Sequence, residues 1–369
     1  MSPQIEIVLI ASVVAVACVI PGVFLVLRGV SLMSDAISHA ILLGIVLSFF
    51  WVKTLESPLL IIGASLAGIF TVTLTEAIIH TRRLKEDAAI GLVYPVLFAL
   101  GIILINRYAG DVHIDSDAVL LGELAFAPFN RVYWEGVDLG PYSLWVMSII
   151  FLINLTLLLC FYKELKLATF DKGMATALGF SPMLIHYGLM TVTSVTAVGA
   201  FDAVGSILVV ALMITPPATA YLLTERLSIM ILLSMGIGIV SGISGYVVAH
   251  ILDASIAGSM AMMTGILFVL ALLFSKRQGL LVQWLRSRQH RYLFSAQMLA
   301  VQLLDHEGKK NEATENTVSN MIHHMGWDTS FAHHVTRISV LNGYMTRHGN
   351  FLKLTPLGRE IARSVMINS

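Results

Sequence analysis

The sequence is short of charge. Asp, Glu, Lys and Arg together make up 12% of its 369 residues, about half the share found in ordinary soluble domains, which excludes a water-soluble globule as the whole answer. Cysteine is nearly missing: Cys18 and Cys160 both fall in apolar runs, so neither a disulfide framework nor a cysteine metal site is indicated. No G-x-x-x-x-G-K-[ST] phosphate loop is present, since Gly308-Lys309 lacks both the preceding glycine and the following Ser or Thr. A chain without that loop is not expected to hydrolyse ATP by itself. A basic n-region is also lacking ahead of Ile7 to Leu27, and that apolar stretch exceeds a signal h-region and reads as a retained span.

What is abundant is hydrophobic side chain, 57% of the total. Scanning for apolar runs of about 20 residues, the length that crosses a bilayer core, gives nine: 5–27, 32–51, 58–80, 88–106, 143–162, 183–201, 203–224, 229–249 and 256–275. Glycine, proline and polar residues interrupt the second and the sixth to eighth, so the pattern admits eight spans or nine. The fold class is therefore an all-α polytopic membrane protein, occupying 1–280. Of the 23 Lys and Arg, 10 crowd into the last 84 residues, and this shift marks a linker at 281–291 and a polar domain at 292–369. With the N-terminus outside, Arg28, Arg82, Arg83, Lys85, Lys163, Lys166, Lys172, Arg226, Lys276 and Arg277 fall inside, against Lys53, Arg107 and Arg131 outside. That asymmetry favours an N-out, C-in orientation.

Within the apolar sequence, ionisable residues stand out. In SLMSDAISHA (Ser31 to Ala40) an aspartate and a histidine are four apart, which puts Asp35 and His39 on one helix face, one turn apart. Such groups inside a span mark an ion or substrate route, or else a polar cluster satisfied at a helix end. Asp202 lies between Gly199 and Gly205, ahead of Pro216-Pro217; a broken helix with an acid at its break is the kind of backbone that lines a transporter cavity. Asp202 in an exposed turn is the other reading. The segment Arg107 to Tyr142 carries Asp111, Asp115, Asp117, Glu123, Glu135 and Asp138 against two arginines, an acidic outer mouth or a solvated loop. Glu123, His250 and Asp253 are secondary metal candidates. Tyr162 to Phe180 reads as a short polar helix between spans, a connector or a handle for a partner.

Three stretches together resemble the permease subunits of bacterial manganese, zinc and iron ABC importers: LRGVSLMSDAISHAILLGI (Leu27 to Ile45), KELKLATFDKGMATALGF (Lys163 to Phe180) and FDAVGSILVVALMITPPATAYLLT (Phe201 to Thr224). The similarity runs over about residues 5–278. It implies a type II importer-like permease in the bacterial cytoplasmic membrane, paired with a second copy or a paralogue. A cytoplasmic ABC ATPase dimer that binds ATP would drive it, and an extracytoplasmic metal-binding protein would load it. By the same resemblance Asp35, His39 and Asp202 are metal-path ligands, and Lys163, Glu164, Phe170, Asp171, Ala175 and Gly179 belong to the segment that couples to the ATPase. No catalytic residue and no permanently bound cofactor are expected; the metal is cargo. Carboxylate oxygen with imidazole nitrogen suits Mn²⁺, Fe²⁺ or Zn²⁺.

The tail reads as three amphipathic helices (292–305, 315–325, 329–342), then strand, a His348-Gly349-Asn350 turn, strand, and a helix begun at Pro356. LNGYMTRHGNFLKLTPLGREIA resembles the wing of iron- and manganese-dependent repressors, implying a small α+β winged-helix-like domain. Ten basic against six acidic residues after residue 285 allow a weak DNA surface, with Arg337 as the contact; a scaffold role is the main reading. A proton-driven metal carrier and a membrane-tethered, metal-responsive DNA-binding regulator remain the competing functions.

Overall fold

A computed structural model describes residues 2–53, 58–108, 124–134, 137–276, 279–309 and 316–368. Two compact units result, 1–275 and 276–369.

The first unit is built on α1 (Pro3–Arg28), whose residues from Ile10 to Leu25 are mostly buried. Around it stand α2 (Leu32–Val52), α3 (Pro58–His80), α4 (Glu86–Tyr108), α5 (Tyr142–Cys160), α8 (Pro182–Leu223), α9 (Leu227–Leu252) and α10 (Ile256–Phe274). The short helices α6 (Tyr162–Phe170) and α7 (Lys172–Ala177) join α5 to α8, and a small hairpin, β1 (Arg131–Trp134) with β2 (Val137–Pro141), precedes α5. Hydrophobic side chains do not separate from lipid as they do from water, so close packing of small residues carries much of the helix association. Gly44 of α2 meets Gly63, Ala64 and Ala67 of α3, and Gly238 and Gly242 of α9 meet Ala15 and Ala11 of α1. The last pair of contacts runs in opposite sequence directions, so α9 is antiparallel to α1 and starts at the Arg28 end.

Among the described residues eight helices are long and apolar enough to cross a membrane, but α8 has 42 residues, a rise of about 63 Å and twice the hydrocarbon core of about 30 Å. It doubles back. Gly205 has φ 77 and ψ 165, a backbone region essentially reserved for glycine. His186 lies beside Arg28 at one end of α1, the Met213 carbonyl abuts Gly22 toward that same end, and the Leu222 carbonyl accepts from Ser275 Oγ at 2.6 Å just after α10. Both ends of α8 thus lie at the Arg28 end of the bundle, and its two limbs account for the apolar runs 183–201 and 203–224. The eight described helices therefore make nine traverses, and Ser275 finishes at the end opposite the N-terminus.

Prolines inside these helices leave carbonyls without their helical donors. Pro21 has no N–H for the Ala17 carbonyl, and the side-chain amide of Asn154 on α5 supplies one at 3.2 Å while also donating to Thr196 Oγ1 at 2.8 Å. Pro217 strands the Met213 carbonyl in the same way, and the missing side chain of Gly22 makes room for it.

The second unit comprises α11 (Leu280–His306), α12 (Val318–Met325), α13 (Thr329–Leu341), β3 (Met345–His348), β4 (Phe351–Leu354) and α14 (Pro356–Asn368). Residues 281–291, expected as a linker, lie within the continuous helix α11. Ala296, Leu299, Ala300, Leu303, Val335, Leu352 and Ala362 form its core. The antiparallel pair β3–β4 turns at Gly349, with φ 67, and Glu307 clamps Arg359 through three hydrogen bonds of 2.6 to 3.0 Å. Helices with one small hairpin make this an α+β domain.

Candidate functional site

On α2 the helical register does what the four-residue spacing requires: His39 Nε2 and Asp35 Oδ1 are 3.4 Å apart. Both side chains keep partial access, 26% for His39 and 33% for Asp35, so neither is sealed into the packing. The His39 ring stacks on Tyr94 of α4 at 5.4 Å between centroids and meets Phe98 edge-on at 5.6 Å. Two rings on α4 therefore fix the imidazole plane and leave one nitrogen toward the carboxylate. Oxygen and nitrogen donors converge here in a pair that could hold a divalent ion by two protein ligands, with water filling the remaining positions.

Asp202 sits three residues before the break at Gly205, at the tip of the folded-back helix, and its side chain is exposed on this single chain. Ile37 and Ser194 flank the same glycine, Gly68, which sets α2 and the first limb of α8 in register. From there Asp202 is eight residues further on and His39 two, so their levels differ by about 9 Å along the bundle, and those of Asp202 and Asp35 by about 15 Å. Among the described residues no three His, Cys, Asp or Glu side chains come together as a metal-holding group. The pair on α2 and the acid at the α8 tip are two levels of the bundle within one chain. Glu123 lies outside the described residues. His250 and Asp253 end α9 at the Glu6 end, both exposed, with His250 stacked on Tyr246 and Asp253 at φ 51.

At the Arg28 end, α6 and α7 form a bent handle. Asp171 breaks the helix and caps α7, accepting from the Met174 amide at 2.8 Å, and Gly179, with φ 87, turns the chain into α8. Phe170 is 61% exposed, as are Met174 at 52% and Leu178 at 58%, whereas Ala175 is fully buried. Together the three exposed side chains form an apolar patch on a short helix pair; Met174 and Leu178 belong to it without a signal in the sequence, because single apolar residues in a polar stretch carry no period. Ala175 packs inward and supports the patch.

Two ionic clusters that spacing cannot reveal mark the ends of α1. At one, the buried Glu6 takes Arg131 Nη1 and Nη2 at 3.1 and 3.2 Å, and Arg131 Nε also meets Asp138 at 2.7 Å. Contact with Arg131, then the Gly140 amide, holds the Asp138 carboxyl below the usual carboxylate range. At the other end, Arg28 meets Thr169 and His186. In the second unit Arg337 stands exposed on α13.

The family model described as "ABC-3: ABC 3 transport family" matches residues 3–275. Among curated proteins, the zinc transport system membrane protein TroD of Treponema pallidum is 47% identical over 97% of this chain and 98% of its own. The manganese transport system membrane protein MntD of Bacillus subtilis is 45% identical over 74% of this chain and 92% of its own. Among solved structures, that of PsaBC from Streptococcus pneumoniae in complex with Fab superposes with a TM-score of 0.63 at 30% identity, covering 75% of this chain and 94% of the other.

Proposed function

Since the chain belongs to the ABC 3 transport family and is a permease subunit of a transition-metal ABC importer, we propose that Asp35 and His39 form an ion station in its translocation path and that Asp202 forms a second. The observation that carries this reading is the pair on α2: a carboxylate and an imidazole 3.4 Å apart, both accessible, inside a helix otherwise fit for lipid. Two protein ligands hold an ion weakly enough to release it, which a closed four-ligand site would not. Manganese, iron and zinc all accept this donor set, and the relatives' names include all three metals.

The energy comes from a separate cytoplasmic ATPase pair docking on α6–α7, with Phe170, Met174 and Leu178 as its apolar contacts. A metal-binding protein delivers the ion at the opposite, Glu6 end, and a second permease copy or paralogue completes the path, against which the exposed Asp202 would face. The membrane is the bacterial cytoplasmic membrane, with the N-terminus outside. Basic residues support that orientation: Arg82, Arg83 and Lys85 follow α3, Lys163, Lys166 and Lys172 fall in α6–α7, and Arg226 and Lys276 flank α9 and α10, all at the Arg28 end. The tail's winged-helix likeness rests on its sequence and element order, and its proposed role is a cytoplasmic scaffold; DNA contact through Arg337 has only a small positive surplus behind it. The family membership does not favour the proton-driven carrier or the tethered regulator.

The deciding experiment is uptake into vesicles containing the permease with and without a partner ATPase. Manganese, iron or zinc should accumulate only with the ATPase, ATP and a loaded binding protein present. ATP-independent accumulation by the purified chain alone would instead establish a secondary carrier.

A further inference from the structure

Arg28 ends α1 at the point where the handle, α3 and α8 meet. Its Nε donates to Thr169 Oγ1 of α6 at 3.1 Å, and its Nη1 lies 3.5 Å from His186 Nδ1 of α8. His186 Nε2 in turn lies 2.5 Å from a carboxylate oxygen of Glu76 on α3, and the Tyr187 hydroxyl also bonds Glu76. A guanidinium can only donate, so Nδ1 is the acceptor, and Nε2 faces the Glu76 carboxylate at ion-pair distance. The imidazole thereby lies between a cation and an anion. Four helices, α1, α3, α6 and α8, meet in this cluster, α6 through the Arg28–Thr169 bond, and His186 and Glu76 remain 22% and 19% exposed rather than sealed. Arg28 Nη2 is buried with no hydrogen-bond partner among the described residues, a spare donor for a second arrangement. Glu86 and Lys172 lie within electrostatic reach of the cluster.

Three of the joined helices lead to an ion station. The first limb of α8 runs from Pro182 to its break at Gly205, so His186 and Asp202 sit on one rod, sixteen residues or about 24 Å apart. Arg28 passes through Gly29, at φ 75, into α2, which carries Asp35 and His39. Glu76 stands on α3, which packs along α2 through Gly63 and Gly44.

We propose that Arg28, His186 and Glu76 are the positioning relay that turns displacement of the α6–α7 handle into displacement of α2 and α8. This rests on the handle being where the ATPase docks. When the handle moves, Thr169 pulls Arg28, and the imidazole passes the movement to α8 and, through Glu76, to α3. Cutting the relay leaves docking and ATP hydrolysis in place but frees the ion stations from them.

The test uses the permease reconstituted in vesicles with an ATPase and binding protein that support manganese uptake by the unchanged chain, reading ATP hydrolysed per ion taken up. Arg28→Ala and Glu76→Gln should still assemble with the ATPase and hydrolyse ATP, while the ratio rises about tenfold. His186→Ala should do the same, and His186→Gln, whose amide can both accept from Arg28 and donate to Glu76, should recover most of the loss. An unchanged ratio in Arg28→Ala and Glu76→Gln, or hydrolysis and uptake falling in parallel, overturns the relay. Should Arg28→Ala fail to assemble, the near-isosteric Glu76→Gln decides; failure of both to assemble makes the cluster a folding element and also overturns it. The docking reading is tested separately with the relay intact, because Phe170→Asp should abolish assembly; if it assembles normally, that reading is the one that fails.

Discussion

Arg131 shows how one side chain can organise an entire face. It reaches back to Glu6 at the start of α1 and across to Asp138 in β2, fastening the hairpin to the bundle. Because the folded-state pKa of Asp138 is depressed, first by the Arg131 contact and then by the Gly140 amide, this contribution is fully present above the ordinary carboxylate pKa of about 4. It is lost as pH falls through the lower folded value. Thermal unfolding of the detergent-solubilised protein should therefore be insensitive to Asp138 titration between neutral pH and about pH 5, then weaken on further acidification. Asp138→Asn should flatten that acid limb, and a limb identical to the parent's would remove Asp138 from the account. The i, i+4 relation of Asp35 and His39 was legible in the sequence because helix geometry alone brings them together. Glu6–Arg131 and Arg28–His186 were not, since they join residues 125 and 158 positions apart and only the packed bundle makes them neighbours.

Helices show a similar division between what local chemistry announces and what packing decides. Apolar runs announced the spans, and Gly205 with Pro216-Pro217 announced an interruption in α8, but a sharp reversal and a mild kink look alike in sequence. The contacts of His186, Met213 and Leu222 with one end of the bundle decide for reversal. Asp202's depth was unreadable for the same reason, since it depends on where the tip of that fold-back stops. Pro21 likewise announces a missing hydrogen bond without naming the donor that replaces it. Asn154 is that donor, so Asn154→Ala should cost about 1–3 kcal/mol by leaving the Ala17 carbonyl unsatisfied in an apolar surround. In a Pro21→Ala background, where a backbone N–H returns to Ala17, the same substitution should cost distinctly less. A double-mutant cycle of unfolding free energies measures the difference, and strict additivity would show that Asn154 acts through Thr196 alone.

Across the molecule, the nine traverses of the described helices place the N-terminus and Ser275 at opposite ends, with most of the membrane domain's positive charge at the Ser275 end. Single cysteines introduced in a Cys18→Ala, Cys160→Ala background should show the orientation. A cysteine at Phe129 should react with a membrane-impermeant thiol reagent on intact cells, and cysteines at Met174 or His348 should react only after permeabilisation. Labelling of Met174→Cys from outside would invert the molecule and detach the handle from any cytoplasmic ATPase. The shift from membrane domain to tail was visible in charge density alone, yet the helix α11 running through 281–291 was not, because a charged amphipathic helix and a polar connector share a composition. The central claim is that metal passes the pair on α2. The most direct measurement is manganese uptake by the assembled importer carrying Asp35→Ala and His39→Ala together, with membrane insertion and ATPase binding checked on the same preparation. The account predicts that uptake is lost while insertion and ATPase binding persist; uptake at the parent's rate by the double variant would contradict it.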